Sequence, residues 1–439
     1  MRKLRIVFSS MICDAGEVTR ALELAEGIRQ YCPLEYDAEI IFTSNGSRFE
    51  DKIISSGFSI YKCSPVLPGI GFHQDMKPTD VDIIGDVNLV TEMLKGEIKA
   101  FNDLKPHIVI HGFYPIASLA RRMMDEKILG ICYIPLPLSK EMLESSMIRD
   151  IPDNIRPFSY LPKTMRKILV RIIPKSLKSK APTLKQRNII EGLKKFNWND
   201  EPVNNLFDML KSDFTIVNDF NEFYNNVNLP ENFKITGPLY ATGRYNEIDK
   251  KILEVFNNDN NRLKIFCTLG SSGKKQYLTE VLKCLTTGIG MNWSAVILAP
   301  PSVCDINEIK FYEEINKNIY ITDKFISAPA VNELANLVIS HGGQGTLQTA
   351  IASRTPVVGY GMQMEQQINI DNLEAFGSAI RIPIHKWKAE NIQKAVIKIV
   401  GDPLYRRNAE KLSEILKNTD GKKNAAEAVW NFILKNYHI

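Results

Sequence analysis

Six consecutive residues, His341-Gly-Gly-Gln-Gly-Thr346, carry the densest chemical signal in this chain. They lie between a β-rich run, Leu337–Ser340, and a stretch that places Leu347, Ala350 and Ile351 on one helical face. Glycines let backbone N–H groups approach a ligand closely and adopt φ > 0. A helix that starts at such a loop presents unpaired N–H donors and the positive end of its dipole. Together these make an anion site suited to a pyrophosphate, to which Thr346 adds a hydroxyl and His341 a further donor. The plainer reading is a tight strand–helix turn with a structural histidine, and a His directly before Gly-Gly weighs against it. A second candidate is the pair Glu365-Gln366. A carboxylate beside an amide offers matched acceptors and donors to two adjacent sugar hydroxyls. Taken alone, that pair reads as a solvated polar patch.

Loops of this kind need strands to hold them. Short β-rich runs at Arg5–Phe8, Glu39–Thr43, Phe58–Lys62, His107–His111, Gly130–Ile134 and Phe214–Val217 alternate with helical patterns. In the first of these helical patterns Val18, Ala21, Leu22, Ala25 and Ile28 share one face. The alternation restarts with Leu263–Thr268, Ser294–Ala299, Asn318–Thr322, Leu337–Ser340 and Pro356–Val358. Strands buried on both faces and separated by helices indicate parallel α/β sheets. The restart follows Gly237-Pro238, a break that neither a helix nor a central strand continues through. Two doubly wound domains are expected, facing across a cleft, with ligands beyond the carboxyl ends of the strands.

Composition narrows the class. With 439 residues, 44% apolar and 24% charged, the chain is neither collagen-like nor disordered. Its seven cysteines are odd in number, scattered and without a CxxC, which reads as reduced thiols in a cytoplasmic protein. The longest apolar stretch, Ile128–Leu138, falls short of the roughly 20 residues a membrane span needs. The net charge of +5 is unevenly spread: Lys163 to Lys195 holds eleven Lys/Arg and one acid. That block is +10 and the remainder −5. It reads as a helical basic insertion in the first domain. Asp80-Val-Asp82 reads as a solvated polar loop.

From His341 through Gln366 the sequence resembles, in register over 26 residues, the nucleotide-sugar signature of the inverting family-1 (UDP-glycosyltransferase-like) glycosyltransferases. Cys267-Thr-Leu-Gly-Ser-Ser-Gly273, the Gly237-Pro238 break and Gly16-Glu-Val-Thr-Arg-Ala21 extend the likeness over nearly the whole chain. The resemblance implies a GT-B fold. Residues 1–237 would form an acceptor-binding domain, 238–420 a nucleotide-sugar domain, and 421–439 a helix packing back on the first. It implies that His341, Gly343, Gly345 and Thr346 hold the donor pyrophosphate, capped by Ser271, Ser272 and Gly273. Phe325 would stack on the base with Ala328 at its edge, and Glu365 and Gln366 would bind the transferred sugar. No metal or cofactor is implied beyond the donor, since backbone donors and His341 can take the charge of the departing diphosphate.

Three positions depart from the family. The usual catalytic His is Glu17 here; a carboxylate can also deprotonate an acceptor hydroxyl. The usual ribose-binding Glu is Thr349, which leaves the carrier open between uridine and deoxythymidine diphosphate. A later Gly is Arg354, at a helix end. The base is then Glu17 alone, His111 with Glu17 orienting it, or Asp14 in the same loop. The acceptor is expected to be a small hydrophobic, amphiphilic or lipid molecule, and the basic block at 163–195 suggests peripheral contact with an anionic membrane. No nucleic-acid module accompanies that block. A non-hydrolysing nucleotide-sugar epimerase and a non-catalytic, nucleotide-sugar-binding helper are the alternatives.

Overall fold

The computed structural model describes residues 1–437, except 146, 154, 156, 181–183, 241–247, 260 and 325. Two stretches of alternating strand and helix each build an all-parallel sheet. In the first, β1 (Arg2–Phe8), β2 (Tyr36–Ser44), β3 (Ser59–Lys62), β4 (Ile108–His111), β5 (Leu129–Ile134), β6 (Phe214–Val217) and β7 (Phe233–Ile235) lie in the order β3-β2-β1-β4-β5-β6-β7. In the second, β8 (Lys264–Thr268), β9 (Ser294–Leu298), β10 (Ile319–Thr322), β11 (Leu337–Ser340), β12 (Val357–Gly359) and β13 (Ala379–Arg381) lie in the order β10-β9-β8-β11-β12-β13. The strand order reverses between β1 and β4, and again between β8 and β11. At each reversal successive crossover helices leave on opposite faces, which opens a crevice at the carboxyl edge of the sheet.

The chain divides into two compact units. The first comprises 1–147, 173–239 and 420–439; the second comprises 148–172 and 240–419. Its β-branched and aromatic strand residues form the core of the first unit: Ile6, Phe8, Phe42, Ile110 and Ile131 are buried among the helices. The terminal helix Gly421–Asn436 closes that core by packing on the helix Ala15–Gln30. Trp430 is buried there, and its indole N–H donates to the Ile28 carbonyl at 3.0 Å. Lys422 reaches Glu23 at 2.7 Å and Glu26 at 2.8 Å.

The basic block departs from its expected place. Its described residues include the helices Lys163–Ile172, Lys175–Lys178 and Arg187–Leu193. The first belongs to the second unit, not to the first domain. The reason is Arg166, whose side chain is wholly buried and meets Asp150 at 2.6 Å and Asp153 at 2.8 Å. Arg381 on β13, equally buried, joins both carboxylates and also Asp371 at 2.6 Å. Five charges are thus removed from water together, which is tolerable only because each carboxylate accepts more than one charge-assisted hydrogen bond. Lys163 adds an ion pair with Glu374 at 2.6 Å.

Smaller differences have local causes. Asp82 is buried, not solvated: its carboxylate accepts the backbone N–H of Asn188 at 3.0 Å. Arg354 follows the helix Gln344–Ala352 with φ 59°, the left-handed position that glycine enters without strain and where the resemblance leads one to expect a glycine. Among the described residues no helix is long and apolar enough to cross a membrane.

Candidate functional site

In the first unit the reactive candidates gather at the β1/β4 reversal. Asp14 ends the loop after β1 and caps the helix Ala15–Gln30, its carboxylate accepting the Gly16 N–H at 2.8 Å. A carboxylate is favoured there by the free N–H groups of the first turn. Glu17 is the third residue of that helix and is 4% exposed. One of its oxygens accepts from Arg20 Nη2 at 2.6 Å, one turn along the same helix. The other accepts the backbone N–H of Phe113 at 3.0 Å, from the loop after β4. Glu17 therefore ties together the two loops that flank the crevice. Gly112 makes room for it, since a Cβ there would lie 1.2 Å from Glu17 Oε1. Burial pushes the Glu17 carboxyl above the usual carboxylate range, and the neighbouring Arg20 guanidinium opposes that shift. When ionised, such a group is a stronger base than a solvated glutamate.

His111 ends β4 and is fully buried. Its Nδ1 lies 2.8 Å from the Gly112 carbonyl and its Nε2 2.7 Å from the Ser212 hydroxyl. A carbonyl only accepts, so Nδ1 carries the proton and Nε2 receives the hydroxyl. Burial draws its pKa down to about 4, which leaves the ring neutral. Both nitrogens are thus occupied, and the direct His111–Glu17 pairing expected from the sequence is not made. The link is indirect. The Gly112 carbonyl and the Phe113 N–H belong to one peptide group, so His111 fixes the plane whose other edge holds Glu17.

The second unit repeats the plan at the β8/β11 reversal. His341 follows β11 directly and is 4% exposed. Glycines wall its ring: a Cβ on Gly270 would lie 2.5 Å from His341 Cε1, and one on Gly343 2.7 Å from the same atom. Gly270 (φ 60°) and Gly342 (φ 87°) also use backbone angles that side chains resist. His341 Nδ1 is buried and has no hydrogen-bond partner among the described residues, and burial lowers the ring's pKa to about 4. Gly343 caps the helix Gln344–Ala352 without a side-chain cap hydrogen bond. A Cβ on Gly345 would meet nothing within 4 Å, so open space borders the first turn where Thr346 also sits.

The neighbouring loops brace this one. Ser271 and Ser272 are buried after β8, and Gly273 packs so tightly that a Cβ would lie 2.5 Å from Leu269 Cβ. Gln366 Nε2 donates to the Ser272 hydroxyl at 3.3 Å. The Gln366 amide oxygen accepts the Met362 N–H at 3.0 Å and completes a capping box with Gln363. The Gln366 side chain is therefore committed to shaping the loop. Asn369 donates to both the Glu365 carboxylate and, at 3.1 Å, the Gly342 carbonyl, which links the sugar-site candidate to the glycine loop. Thr349 is buried, and its hydroxyl donates to the Thr346 carbonyl at 2.9 Å, a bond within its own helix. Ala328 opens the helix Ala328–Leu334 beneath a Ser327 cap. Phe325 lies outside the described residues.

Arg20 and Gly270 lie in stretches that the sequence singled out but were given no role there, and Ser212 and Asn369 were not singled out at all. Arg20 and Asn369 stand three and four residues after Glu17 and Glu365, so helical spacing could have found them. Ser212 lies 101 residues from His111 and left no local signal. Among the described residues no group of three or more His, Cys, Asp or Glu side chains is placed to hold a metal ion.

Comparison with known proteins places these features in a family context. Residues 304–423 match the model for the erythromycin biosynthesis protein CIII-like C-terminal domain. A PGL/p-HBAD biosynthesis glycosyltransferase of Mycobacterium tuberculosis (strain ATCC 25177 / H37Ra) is 24% identical over 324 residues, covering 72% of this chain and 68% of that protein. The solved glycotransferase of kitacinnamycin superposes with a TM-score of 0.66 at 17% identity, over 97% of this chain and 98% of that one. The spinosyn rhamnosyltransferase SpnG complexed with thymidine diphosphate superposes with a TM-score of 0.58 at 12% identity, over 99% and 100% of the two chains.

Proposed function

We propose that this chain, a GT-B glycosyltransferase of the family-1, UDP-glycosyltransferase-like group, moves a sugar from a nucleoside diphosphate to a hydroxyl of a hydrophobic, amphiphilic or lipid acceptor, inverting the anomeric carbon. The observation that carries the reading is the glycine-walled His341, whose buried Nδ1 has no partner among the described residues and which stands beside a helix N-terminus without a side-chain cap. A diphosphate supplies what that site asks for: an acceptor for the imidazole and for the first-turn N–H groups. The carrier is uridine or deoxythymidine diphosphate; the thymidine diphosphate in the spinosyn relative supports the second.

In this reading Glu17 takes the proton from the acceptor hydroxyl. The oxygen attacks the anomeric carbon, and the bond to the diphosphate breaks with its electron pair leaving on phosphate oxygen. Attack opposite the leaving group inverts the configuration. The helix Gln344–Ala352 and the neutral His341 then stabilise the departing charge with preorganised donors. Arg20 and Phe113 keep the Glu17 carboxylate in place, and Asp14, at the mouth of the same loop, is the alternative base.

The test is acceptor-dependent release of diphosphate from a panel of UDP- and dTDP-sugars. Glu17→Gln should lower kcat by about 100-fold or more with little change in donor KM, the size expected for loss of a general base. Asp14→Asn should leave most of the activity. Undiminished turnover in Glu17→Gln would remove it from the role, and an altered sugar configuration in the nucleotide sugar, with neither acceptor nor net diphosphate release, would favour the epimerase reading.

A further inference from the structure

The helix Lys163–Ile172 is built inside out. Its inward face carries charge: Arg166 is wholly buried in the Asp150/Asp153 network, and Lys163 and Lys167 turn to Glu374. Val170 is the apolar residue buried with them. Its outward face is apolar. Met165 is 49% exposed, Ile168 57% and Ile172 67%. The spacing i, i+3, i+7 places these three side chains along one stripe. Phe158, in the short helix just before, is 50% exposed. An ordinary surface helix arranges these residue types the other way round. The buried ion network fixes which face turns in, so nothing in the fold needs methionine and isoleucine on the outside.

From this arrangement we infer that the outward stripe Met165–Ile168–Ile172 seats the protein on an anionic bilayer surface. This inference goes beyond the sugar-transfer reading and stands apart from it. Charge complementarity selects the occupant: no Asp or Glu occurs between Asp153 and Glu191, while Arg171 on this helix is exposed. An apolar stripe rimmed by cations fits acyl chains beneath phosphate headgroups. The helix, about 15 Å long, lies in the interface and does not span it. Because the stripe itself is aliphatic, part of the binding is hydrophobic and survives salt, unlike adsorption through surface lysines alone.

The experiment is co-sedimentation of the full chain with vesicles of phosphatidylcholine alone and of phosphatidylcholine with phosphatidylglycerol, at low and high salt. Binding to the anionic vesicles is expected, weakened by salt but not abolished. The triple substitution Met165→Ser, Ile168→Ser, Ile172→Ser should weaken it by roughly tenfold or more, since each side chain contributes burial in the bilayer. An unchanged thermal melt would show that the triple variant still folds. Ile397→Ser with Val400→Ser removes exposed apolar residues elsewhere and should change nothing. Absence of vesicle binding, or binding that the triple variant retains in full, overturns the proposal. So does a dimer in sedimentation velocity that the triple variant dissolves, because a second copy would then be what covers the stripe. Neither readout depends on transfer, so failure here leaves the catalytic reading standing.

Discussion

At the scale of residues, the candidate loops of each unit turn on glycines that give a reactive side chain its room. Gly112 gives way to Glu17, and Gly270 and Gly343 give way to His341. His341→Ala should weaken binding of UDP or dTDP by roughly tenfold to a hundredfold, the range for losing a hydrogen bond to a charged group. Gly270→Ala should weaken it comparably, because the new methyl meets the ring and the positive φ is strained. Calorimetric titration with each diphosphate checks both, and unchanged affinity in the first would separate His341 from the phosphates. The glycine loop was readable in the sequence because its chemistry is contiguous, His through Thr in six residues. The partners that orient Glu17 and His111 were not. Phe113 and Ser212 reach them only through the pairing of distant strands, and a backbone N–H leaves no trace in residue type.

At the scale of elements, the strand pattern was legible wherever a strand is buried on both faces. Phe214–Val217 and Leu337–Ser340 have the expected ends. The two strands that were missed, β7 and β13, are three-residue edge strands reading Phe-Lys-Ile and Ala-Ile-Arg. Charge in so short a run hides the apolar signal. In β13 the charged residue is Arg381, whose burial depends on carboxylates more than 200 positions away. The same network misplaced the basic helix: lysine and arginine density implies solvent, and only the fold shows Arg166 facing inward. Arg166→Met should destabilise the second unit by about 3–5 kcal/mol, because Asp150 and Asp153 would lose one of their two guanidinium partners in a dry site. Urea unfolding followed by far-UV circular dichroism measures it, and a loss below about 1 kcal/mol would assign the pair no more than the weight of a surface ion pair. Lysine should not rescue, since it lacks the planar fork that spans both carboxylates.

At the scale of the whole molecule, the two-sheet plan followed from the restart of the strand pattern after Gly237-Pro238, close to the junction at 239/240. Of the other crossings, only the one at 419/420 had a counterpart, and that came from the resemblance, which implies that 421–439 packs back on the first domain. The backbone passes between the units at 147/148, 172/173, 239/240 and 419/420. Gly-Pro marks only one of these, and the other three fall in sequence with no break in composition. They follow from long-range packing: the carboxylates and Arg166 in one case, Trp430 and Lys422 on the first helix in another.

Those four crossings bear on how such enzymes can be recombined. Exchanging the parts before and after a single cut near 238 between relatives would split an interlocking module, parting Asp150, Asp153 and Arg166 from Arg381. A hybrid joined there should express poorly or aggregate. One that transplants 148–172 together with 240–419, and keeps the terminal helix with its own first unit, should purify as a soluble protein with the nucleotide preference of the transplanted half. Equal yields of the two hybrids would show that the network is exchangeable between backbones. Modularity in this molecule thus belongs to discontinuous sets of residues, and a swap that respects the linear order of the sequence cuts through one of them.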